Sequence, residues 1–343
     1  LDTAFHFIIS NMEQALEIPE YARRFGITTF KFYMGGYEPG NAIGLVVADD
    51  AVMYTAMERI RELGAYGYCM VHCEDQALFL MLTDRMKKSG REDLAAYSES
   101  RPGFVEEQDI LRAIWLAELL GCPLYIPHTT IGSGVEAAIA ARQRGVKVVV
   151  ETCPHYLGLT ADDERLASQG AGVGKVSPAL RDKYNQDRLW WGLANGYIQT
   201  VGSDHVPIKK SGGSLWDERP GFAGLGAMLP VLLTKGVHTG RITLEKLVEV
   251  TAYNPARIFG YAPQKGAIAV GSDADLVIVD MDKEAVIGQD TTHSQFTSAF
   301  DGMKARGWPT ITIRRGEIVF RDGRVTGRPG TGQILQKTTE VAA

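Results

Sequence analysis

The sequence is poor in cysteine, in charge of one sign and in long apolar runs. Its 4 cysteines, Cys69, Cys73, Cys122 and Cys153, are too few for a disulfide scaffold and are expected to be reduced, buried thiols of a cytoplasmic protein. Lys and Arg number 36 against 41 Asp and Glu, so the net charge of -5 gives no reason to expect nucleic acid or an anionic membrane as a partner. No apolar run is long enough to span a bilayer.

An initiator methionine, a basic leader and a glycine-rich phosphate loop are also absent. The first ten residues have the apolar pattern of a strand interior, so we expect that an upstream part of the protein is missing. An open doubly wound sheet would normally carry a phosphate loop near its start. Its absence makes that architecture the weaker alternative.

What is present is a regular alternation of short apolar strands and helices over residues 1–260. Strands are predicted at 5–9, 27–34, 66–72, 123–128, 146–152 and 198–203, and helices at 12–25, 50–63, 105–120 and 134–144. This alternation is typical of parallel βαβ units. It predicts an α/β protein with a TIM-like (β/α)8 barrel that lacks its first two strands.

The pattern changes after residue 260. Short strands are predicted over 265–279 and 310–325, with glycine turns between them. We therefore expect a small C-terminal β domain, part of a β-sandwich, over 261–335, followed by a tail over 336–343.

Four predicted strands end in a side chain that can bind a metal or move a proton: Lys31, His72, His128 and Asp204. The carboxyl ends of barrel strands converge on one mouth, which is where the active sites of such barrels lie. Two imidazoles and a carboxylate suit a divalent metal such as zinc. Taken alone, Asp204 could equally begin a turn.

Lys31 is the unusual member of this set, because Phe30 and Phe32 flank it in a buried strand. One interpretation is a lysine that is ion-paired or extends to solvent. The other is a neutral amine, favoured by burial, that reacts with carbon dioxide to form a carbamate. A carbamate could bridge two metal ions.

Several motifs resemble those of the cyclic-amide hydrolases of the amidohydrolase superfamily, namely hydantoinase and dihydropyrimidinase, with dihydroorotase and allantoinase as relatives. The motifs are Thr29-Phe-Lys-Phe, Val71-His-Cys-Glu-Asp, His128-Thr-Thr, Glu151-Thr-Cys-Pro-His-Tyr-Leu, Lys175-Val-Ser-Pro-Ala-Leu-Arg, Gly202-Ser-Asp-His-Val-Pro, Asn254-Pro-Ala and Lys265-Gly-Ala-Ile-Ala-Val-Gly-Ser-Asp-Ala-Asp. Each is weak or moderate alone, but in this order they are highly specific.

The resemblance implies a centre of two divalent metal ions, with Zn2+ as the expected metal. Lys31 resembles the N6-carboxylysine that bridges the ions, and His72 and His128 resemble ligands of the second ion. Asp204 resembles a ligand of the first ion and the general base. The family's remaining ligands are a His-x-His pair, and this sequence contains none.

The mechanism that the resemblance implies is attack of a metal-bridging hydroxide on the ring carbonyl. Asp204 would take the proton and pass it to the leaving nitrogen. Ser177 resembles the residue whose backbone contacts the substrate amide. A tyrosine shortly after the lysine stabilises the oxyanion in hydantoinases, and here Tyr33 and Tyr37 are the candidates. Neither has the usual spacing, and Tyr37 is preferred.

Hydantoinase or dihydropyrimidinase is the favoured activity, since the C-terminal run over 293–316 resembles those enzymes most closely. Dihydroorotase and allantoinase stay open, because the motifs that begin at Val71 and Glu151 fit them as well. Their charged or ureido substrates would need a matching arginine or amide, and the sequence leaves Arg181 undecided as that group. The competing class is a non-enzymatic, collapsin-response-type assembly protein, which retention of the four candidate ligands argues against. Expected partners are a small cyclic amide or ureide and further copies of the chain, as a homodimer or homotetramer.

The remaining histidines have lesser expected roles. His155 is expected to support the site or the structure without binding metal, and His205 is expected to hold the loop of Asp204. His6, His238 and His293 are expected to be structural.

Overall fold

The computed structural model describes residues 1–38, 44–335 and 337, and its main feature is a six-stranded parallel sheet. The strands are β1 (Phe7–Ile8), β2 (Thr29–Tyr33), β3 (Tyr68–His72), β4 (Leu124–Ile126), β5 (Val148–Thr152) and β6 (Thr200–Val201). Each strand pairs with the next one along the chain, in the order β1-β2-β3-β4-β5-β6. This is the order of consecutive strands in a (β/α)8 barrel, as predicted.

Helices connect and cover these strands. They span Met12–Leu16, Ile18–Phe25, Asp50–Arg61, Gln76–Lys88, Leu94–Glu99, Gly103–Leu120, Gly132–Gln143, Pro154–Gly158, Glu164–Gln169, Lys183–Ala194, Met228–Leu232, Leu244–Val248, Asn254–Ile258 and Gln289–Thr292. Short 3-10 turns lie at Ala171–Gly174 and Leu225–Ala227, and π-helical segments at Leu233–Val237 and Glu249–Tyr253. Within the described residues, no helix is both long enough and apolar enough to cross a membrane.

Strand alternation separates an outer apolar layer from the barrel interior. Phe30 and Phe32 are fully buried in the main hydrophobic cluster, which also contains residues of the covering helices. Because successive side chains of a strand point to opposite faces, Lys31 between them faces the other side. Tyr68 and Met70 of β3 belong to a separate, smaller buried cluster. His72 continues their alternation, so it faces the same side as Met70.

The predicted helix over 12–25 is wrong in one respect, because the structure has two helices with a break at Glu17. Pro19 lies in the first turn of the second helix. Proline has no N–H group, so it cannot continue the hydrogen-bond ladder of the first helix. The sequence pattern of apolar residues continued through this break, and the proline was the signal that marked it.

Four antiparallel strands form a second sheet in the order β10-β9-β8-β7. They are β7 (Leu276–Val286), β8 (Lys304–Arg314), β9 (Glu317–Arg321) and β10 (Arg324–Val325). The prediction of a strand from residue 265 is wrong, because Lys265 forms ion pairs with Asp2 at 3.0 Å and Asp273 at 2.8 Å. Two positive-φ glycines, Gly266 and Gly271, also turn this segment. Of the predicted tail, only residue 337 lies within the described residues.

A buried ion pair anchors the loop that carries Ser177. Glu106, on the helix Gly103–Leu120, accepts a hydrogen bond from the backbone N–H of Thr130 at 2.8 Å and pairs with Arg181 at 2.9 Å. Arg181 also donates to the backbone carbonyl of Arg101. The loop is thereby tied to two helix–strand units that surround the barrel mouth.

Substituting Glu106→Ala should lower the free energy of unfolding by about 3–5 kcal/mol, because it leaves the Arg181 guanidinium buried without its carboxylate. Urea denaturation followed by circular dichroism measures this. Glu107→Ala, on the same helix and with no ion pair in the structure, is the matched control and should change stability by less than about 0.5 kcal/mol. Equal effects of the two substitutions would show that the buried pair does not stabilise the fold.

Candidate active site

One cavity of about 460 Å³ opens at the carboxyl ends of the parallel strands. Its lining contains every residue predicted from sequence to bind metal or substrate: Lys31, Tyr37, His72, His128, Ser177 and Asp204. Tyr33 and Glu151 also line it, together with an apolar wall that includes Ile8, Met70, Val176 and Val206. The residues predicted from sequence, from Lys31 to Asp204, are up to 173 positions apart and share one cavity.

Three nitrogen atoms meet at the base of this cavity. The Nε2 atom of His128 lies 3.1 Å from Lys31 Nζ and 3.2 Å from His72 Nδ1. Burial lowers the pKa of all three groups. The pKa of Lys31 falls to about 8. The pKa of His128 falls well below its ordinary value, and the charge of Lys31 lowers it further. Burial therefore favours the neutral forms, whose lone pairs can bind a metal or react with carbon dioxide.

The geometry of this cluster fits a zinc-type ion. Two nitrogen ligands that are each about 2.0–2.1 Å from a tetrahedral zinc lie about 3.3–3.4 Å apart. The 3.2 Å separation of His72 Nδ1 and His128 Nε2 is close to this distance. These two atoms and a carboxylated Lys31 would form a donor set of the kind that zinc prefers.

Asp204 lies on the same cavity but apart from the imidazoles. It does not form, with His72 and His128, a group of donor atoms that all lie within 4.8 Å of one another. Burial raises the pKa of Asp204, and the nearby ammonium of Lys31 partly offsets this increase. Its position suits a ligand of a second ion, beyond the two imidazoles, or a base that faces the substrate.

Two of the candidate ligands have an unusual backbone conformation. His128 has φ of 43° and Asp204 has φ of 42°, in the left-handed region that residues other than glycine rarely adopt. Such conformations cost roughly 1–3 kcal/mol and persist where the surroundings enforce them, frequently at functional sites. Residues within two positions of them are held by backbone hydrogen bonds, from Thr129 N to Glu151 O and from Gly202 N to Thr152 O.

His205 holds the loop of Asp204, as the sequence suggested. Its Nδ1 atom accepts hydrogen bonds from the backbone N–H groups of Gly224 and Leu225, both at 3.1 Å. The two ends of the loop are joined by these bonds, which restricts Asp204 next to them.

A charged network behind His72 was not predicted as part of the site. Glu74 is fully buried, and its Oε2 atom lies 2.9 Å from His72 Nε2. Arg101 pairs with the same carboxylate at 3.0 Å, and the Ser177 hydroxyl donates to it at 2.7 Å. Although burial opposes ionisation, Arg101 and the hydrogen bonds lower the pKa of Glu74 to about 2. The motif that contains His72 also contains Glu74, which was the available signal.

Glu151 is a second residue that sequence reasoning did not place in the site. Its carboxylate lines the cavity and accepts a hydrogen bond from the Tyr125 hydroxyl at 2.7 Å, and that hydroxyl also lies 2.8 Å from the Thr200 hydroxyl. Burial raises the pKa of Glu151 to about 7. A β-carbon on Gly202 would lie 2.6 Å from this carboxylate, so the strand before Asp204 packs directly against it.

Both candidate tyrosines are close to His72. The ring centroid of Tyr33 lies 5.3 Å from that of His72, and the centroid of Tyr37 lies 5.7 Å away. Burial raises the pKa of Tyr33 to about 12 and that of Tyr37 well above 10. Both phenols are therefore protonated at neutral pH and can donate a hydrogen bond.

His155 packs among aromatic rings and does not line the cavity. Its ring lies 4.1 Å from that of Tyr156 and 5.3 Å from that of Phe222. Burial lowers its pKa to about 3, so the imidazole is neutral. A separate cluster of carboxylates, Asp2, Asp273 and Asp275, is paired with Lys265, which makes it a structural ion-pair cluster.

The chain resembles several known proteins in sequence. Residues 106–319 match the model of the amidohydrolase family. The chain is 36% identical to a D-hydantoinase of Geobacillus stearothermophilus, over 98% of this chain and 72% of that protein. It is 38% identical to an allantoinase of Solibacter usitatus, over 84% of this chain and 63% of that protein.

Solved structures also resemble this chain in fold and sequence. The crystal structure of dihydropyrimidinase from Brevibacillus agri superposes with a TM-score of 0.91 at 32% identity, covering 99% of this chain and 74% of that one. The match extends over both the parallel and the antiparallel sheet, which confirms the predicted fold class. By sequence and by structure, the chain belongs to the amidohydrolase family.

Proposed function

We propose that this chain hydrolyses a cyclic amide, a hydantoin or dihydropyrimidine ring, in the cavity at the strand ends. The observation that carries the proposal is the meeting of Lys31 Nζ, His72 Nδ1 and His128 Nε2 in a cavity that Asp204 also lines. Members of the amidohydrolase family generally use a binuclear metal centre. The named relatives are cyclic-amide hydrolases.

The proposed metal ligands are divided between two positions. Lys31, as N6-carboxylysine, would join His72 and His128 at one ion and Asp204 at the other, with Zn2+ as the proposed metal. When bound, the two ions would supply an activated water and polarise the ring carbonyl. Desolvation of Lys31 supports this role, because only the neutral amine reacts with carbon dioxide.

The chain's own side chains would move the proton and stabilise the charge. Asp204 would accept the proton of the attacking water and deliver it to the ring nitrogen as the C–N bond breaks. The neutral phenol of Tyr37 would donate a hydrogen bond to the developing oxyanion. The Ser177 hydroxyl already bonds to Glu74, so Ser177 would bind the substrate amide through its backbone.

The cavity lining favours an uncharged ring. Among the described residues that line it, Lys31 is the one lysine or arginine, and none is asparagine or glutamine. Arg181, considered earlier as a partner for a charged substrate, is paired with Glu106 away from the cavity. Dihydroorotate would therefore bury its carboxylate unpaired, whereas the apolar wall suits hydantoins with apolar substituents. Allantoin is the second candidate, on the strength of the allantoinase relative.

We further propose a hydrolase unit over 1–260 and a β unit over 261–335, and a cytoplasmic homodimer or homotetramer. The four cysteines are free and buried, which is compatible with a reducing compartment.

A hydrolysis panel of hydantoin, dihydrouracil, dihydroorotate and allantoin tests the proposed substrate class. We expect the highest kcat/KM for hydantoin or dihydrouracil, and a value lower by about 100-fold or more for dihydroorotate, because an unpaired buried charge costs roughly 3–5 kcal/mol. Ring opening is followed by loss of ultraviolet absorbance. The Lys31→Ala protein, prepared identically, measures contaminating host activity, and turnover of dihydroorotate above the other rings would contradict the proposal.

Substituting Lys31→Ala should abolish zinc binding at the bridging position and reduce kcat/KM by about 1,000-fold, since a bound metal contributes several kcal/mol to catalysis. Because the pKa of Lys31 is lowered to about 8, zinc loading of the unsubstituted chain should also rise with bicarbonate and with pH between 6 and 8. Metal content by mass spectrometry measures both effects.

Lys304→Ala, in the exposed part of the β sheet, is the control for the loss of one lysine and should behave as the unsubstituted protein. Full zinc content and full activity of Lys31→Ala would rule out the carboxylated lysine.

Substituting Asp204→Asn should lower kcat by about 100- to 10,000-fold, the usual contribution of a general base. The amide keeps the shape of the side chain but cannot take the proton. Steady-state kinetics with hydantoin measure the loss, and Asp217→Asn, an exposed carboxylate later in the same loop, serves as the control. A kcat within a factor of about three of the unsubstituted value would remove Asp204 from the proton transfer.

A further inference from the structure

We propose that Glu74 is a positioning residue that fixes the tautomer and the ring orientation of His72 for metal binding, an inference that rests on the proposed function. Glu74 would not itself touch the metal or the substrate. It would act through Nε2 of His72, the ring nitrogen that does not face the metal position.

The two ring nitrogens of His72 face different partners. Nε2 lies 2.9 Å from Glu74 Oε2, whereas Nδ1 lies 3.2 Å from His128 Nε2, inside the nitrogen cluster. A carboxylate accepts hydrogen bonds, so the proton of the neutral imidazole is placed on Nε2. The lone pair of His72 is then on Nδ1, the atom that faces Lys31 and His128. Carboxylates that hold metal-binding histidines in this way raise ligand basicity and fix the ring.

The carboxylate itself is held from two sides. Arg101 pairs with it at 3.0 Å, and the Ser177 hydroxyl donates to the same oxygen at 2.7 Å. Arg101 is in turn packed over the rings of Phe79 and Tyr97, at 4.1 Å and 4.7 Å from their centroids. Movement of this oxygen away from His72 would therefore disrupt the ion pair with Arg101 and the hydrogen bond from Ser177.

Gly35 and Gly36, which follow β2, lie against this contact. A β-carbon on Gly36 would lie 2.5 Å from Glu74 Oε2 and 2.7 Å from His72 Nε2, and one on Gly35 would lie 2.1 Å from the Glu74 carbonyl. Gly36 also has φ of 85°, which favours glycine. Arg101 donates to the Gly36 carbonyl at 3.2 Å. The glycine pair thus leaves no room for a side chain beside the His72–Glu74 contact.

The contact also connects metal binding to substrate binding. Ser177 belongs to the loop that would contact the substrate amide, and its hydroxyl shares the oxygen that holds His72. Displacement of Glu74 would therefore disturb both a metal ligand and the substrate loop. A carboxylate that served stability alone would affect neither metal affinity nor KM.

The test is zinc affinity, measured with the whole chain by competition against a chromophoric chelator, for Glu74→Asp and Glu74→Gln. Aspartate keeps the charge that Arg101 needs but withdraws it from His72, so this variant should remain folded. We expect both variants to bind zinc 10- to 100-fold more weakly. The visible spectrum of the cobalt-substituted protein should shift, because the orientation of an imidazole ligand changes.

Glu92→Gln, an exposed carboxylate with no partner in the structure, is the control and should leave affinity and spectrum unchanged. If the unsubstituted chain binds zinc and the two Glu74 variants bind it equally well with the same cobalt spectrum, the positioning role is wrong while the proposed function stands. If the unsubstituted chain binds no zinc, the proposed function fails and this inference fails with it.

Discussion

The candidate site depends on burial, which holds three nitrogen groups close together and lowers the pKa of each. Lys31 Nζ and His72 Nδ1 both lie about 3 Å from His128 Nε2, a separation that three cationic groups could not tolerate. Because burial opposes the charged forms, neutral imidazoles are favoured and the repulsion is relieved, while Lys31, with a pKa of about 8, is still largely an ammonium at neutral pH. Its N–H groups can donate a hydrogen bond to His128 Nε2. The proposed carbamate would turn this donor into an anionic acceptor that can bind a metal.

The backbone is strained at two of the candidate ligands. His128 and Asp204 both adopt positive φ, although neither is a glycine, and each follows the carboxyl end of a parallel strand. Backbone hydrogen bonds join Thr129, next to His128, and Gly202, two positions before Asp204, to β5. Backbone pairing within two residues of each strained position therefore supports the strain. This division explains why the functional groups lie at the strand ends, where the chain is free to turn, while the strands remain regular.

The sequence predicted what depends on local pattern. Apolar alternation located the six parallel strands to within a few residues, and polar side chains at their ends located Lys31, His72, His128 and Asp204 on one cavity. Pattern alone failed at Pro19, where the missing N–H divides a helix, and at Lys265, where ion pairs replace a strand. Each error is explained by the chemistry of one residue, the missing N–H of Pro19 or the charge of Lys265.

Contacts between segments that are distant in the chain could not be predicted from the sequence. Glu74 was visible two residues after His72, but its partners Arg101 and Ser177 come from separate loops, and only the fold brings them within 3.0 Å. Glu151 likewise lies within a predicted strand, yet its partner Tyr125 faces it from the neighbouring strand. Which buried polar groups become partners depends on the topology of the fold, so these pairs cannot be predicted from a single sequence.

The position of the oxyanion donor shows how one such contact constrains the rest of the site. A tyrosine shortly after the lysine is expected in hydantoinases, but the loop here must pass Glu74 without a side chain, and Gly35 and Gly36 occupy that passage. Tyr37 follows the two glycines, and its ring centroid lies 5.7 Å from that of His72. If Tyr37 is the oxyanion donor, as proposed, its spacing from Lys31 reflects this passage beside the buried Glu74 carboxylate, which follows the neighbouring strand.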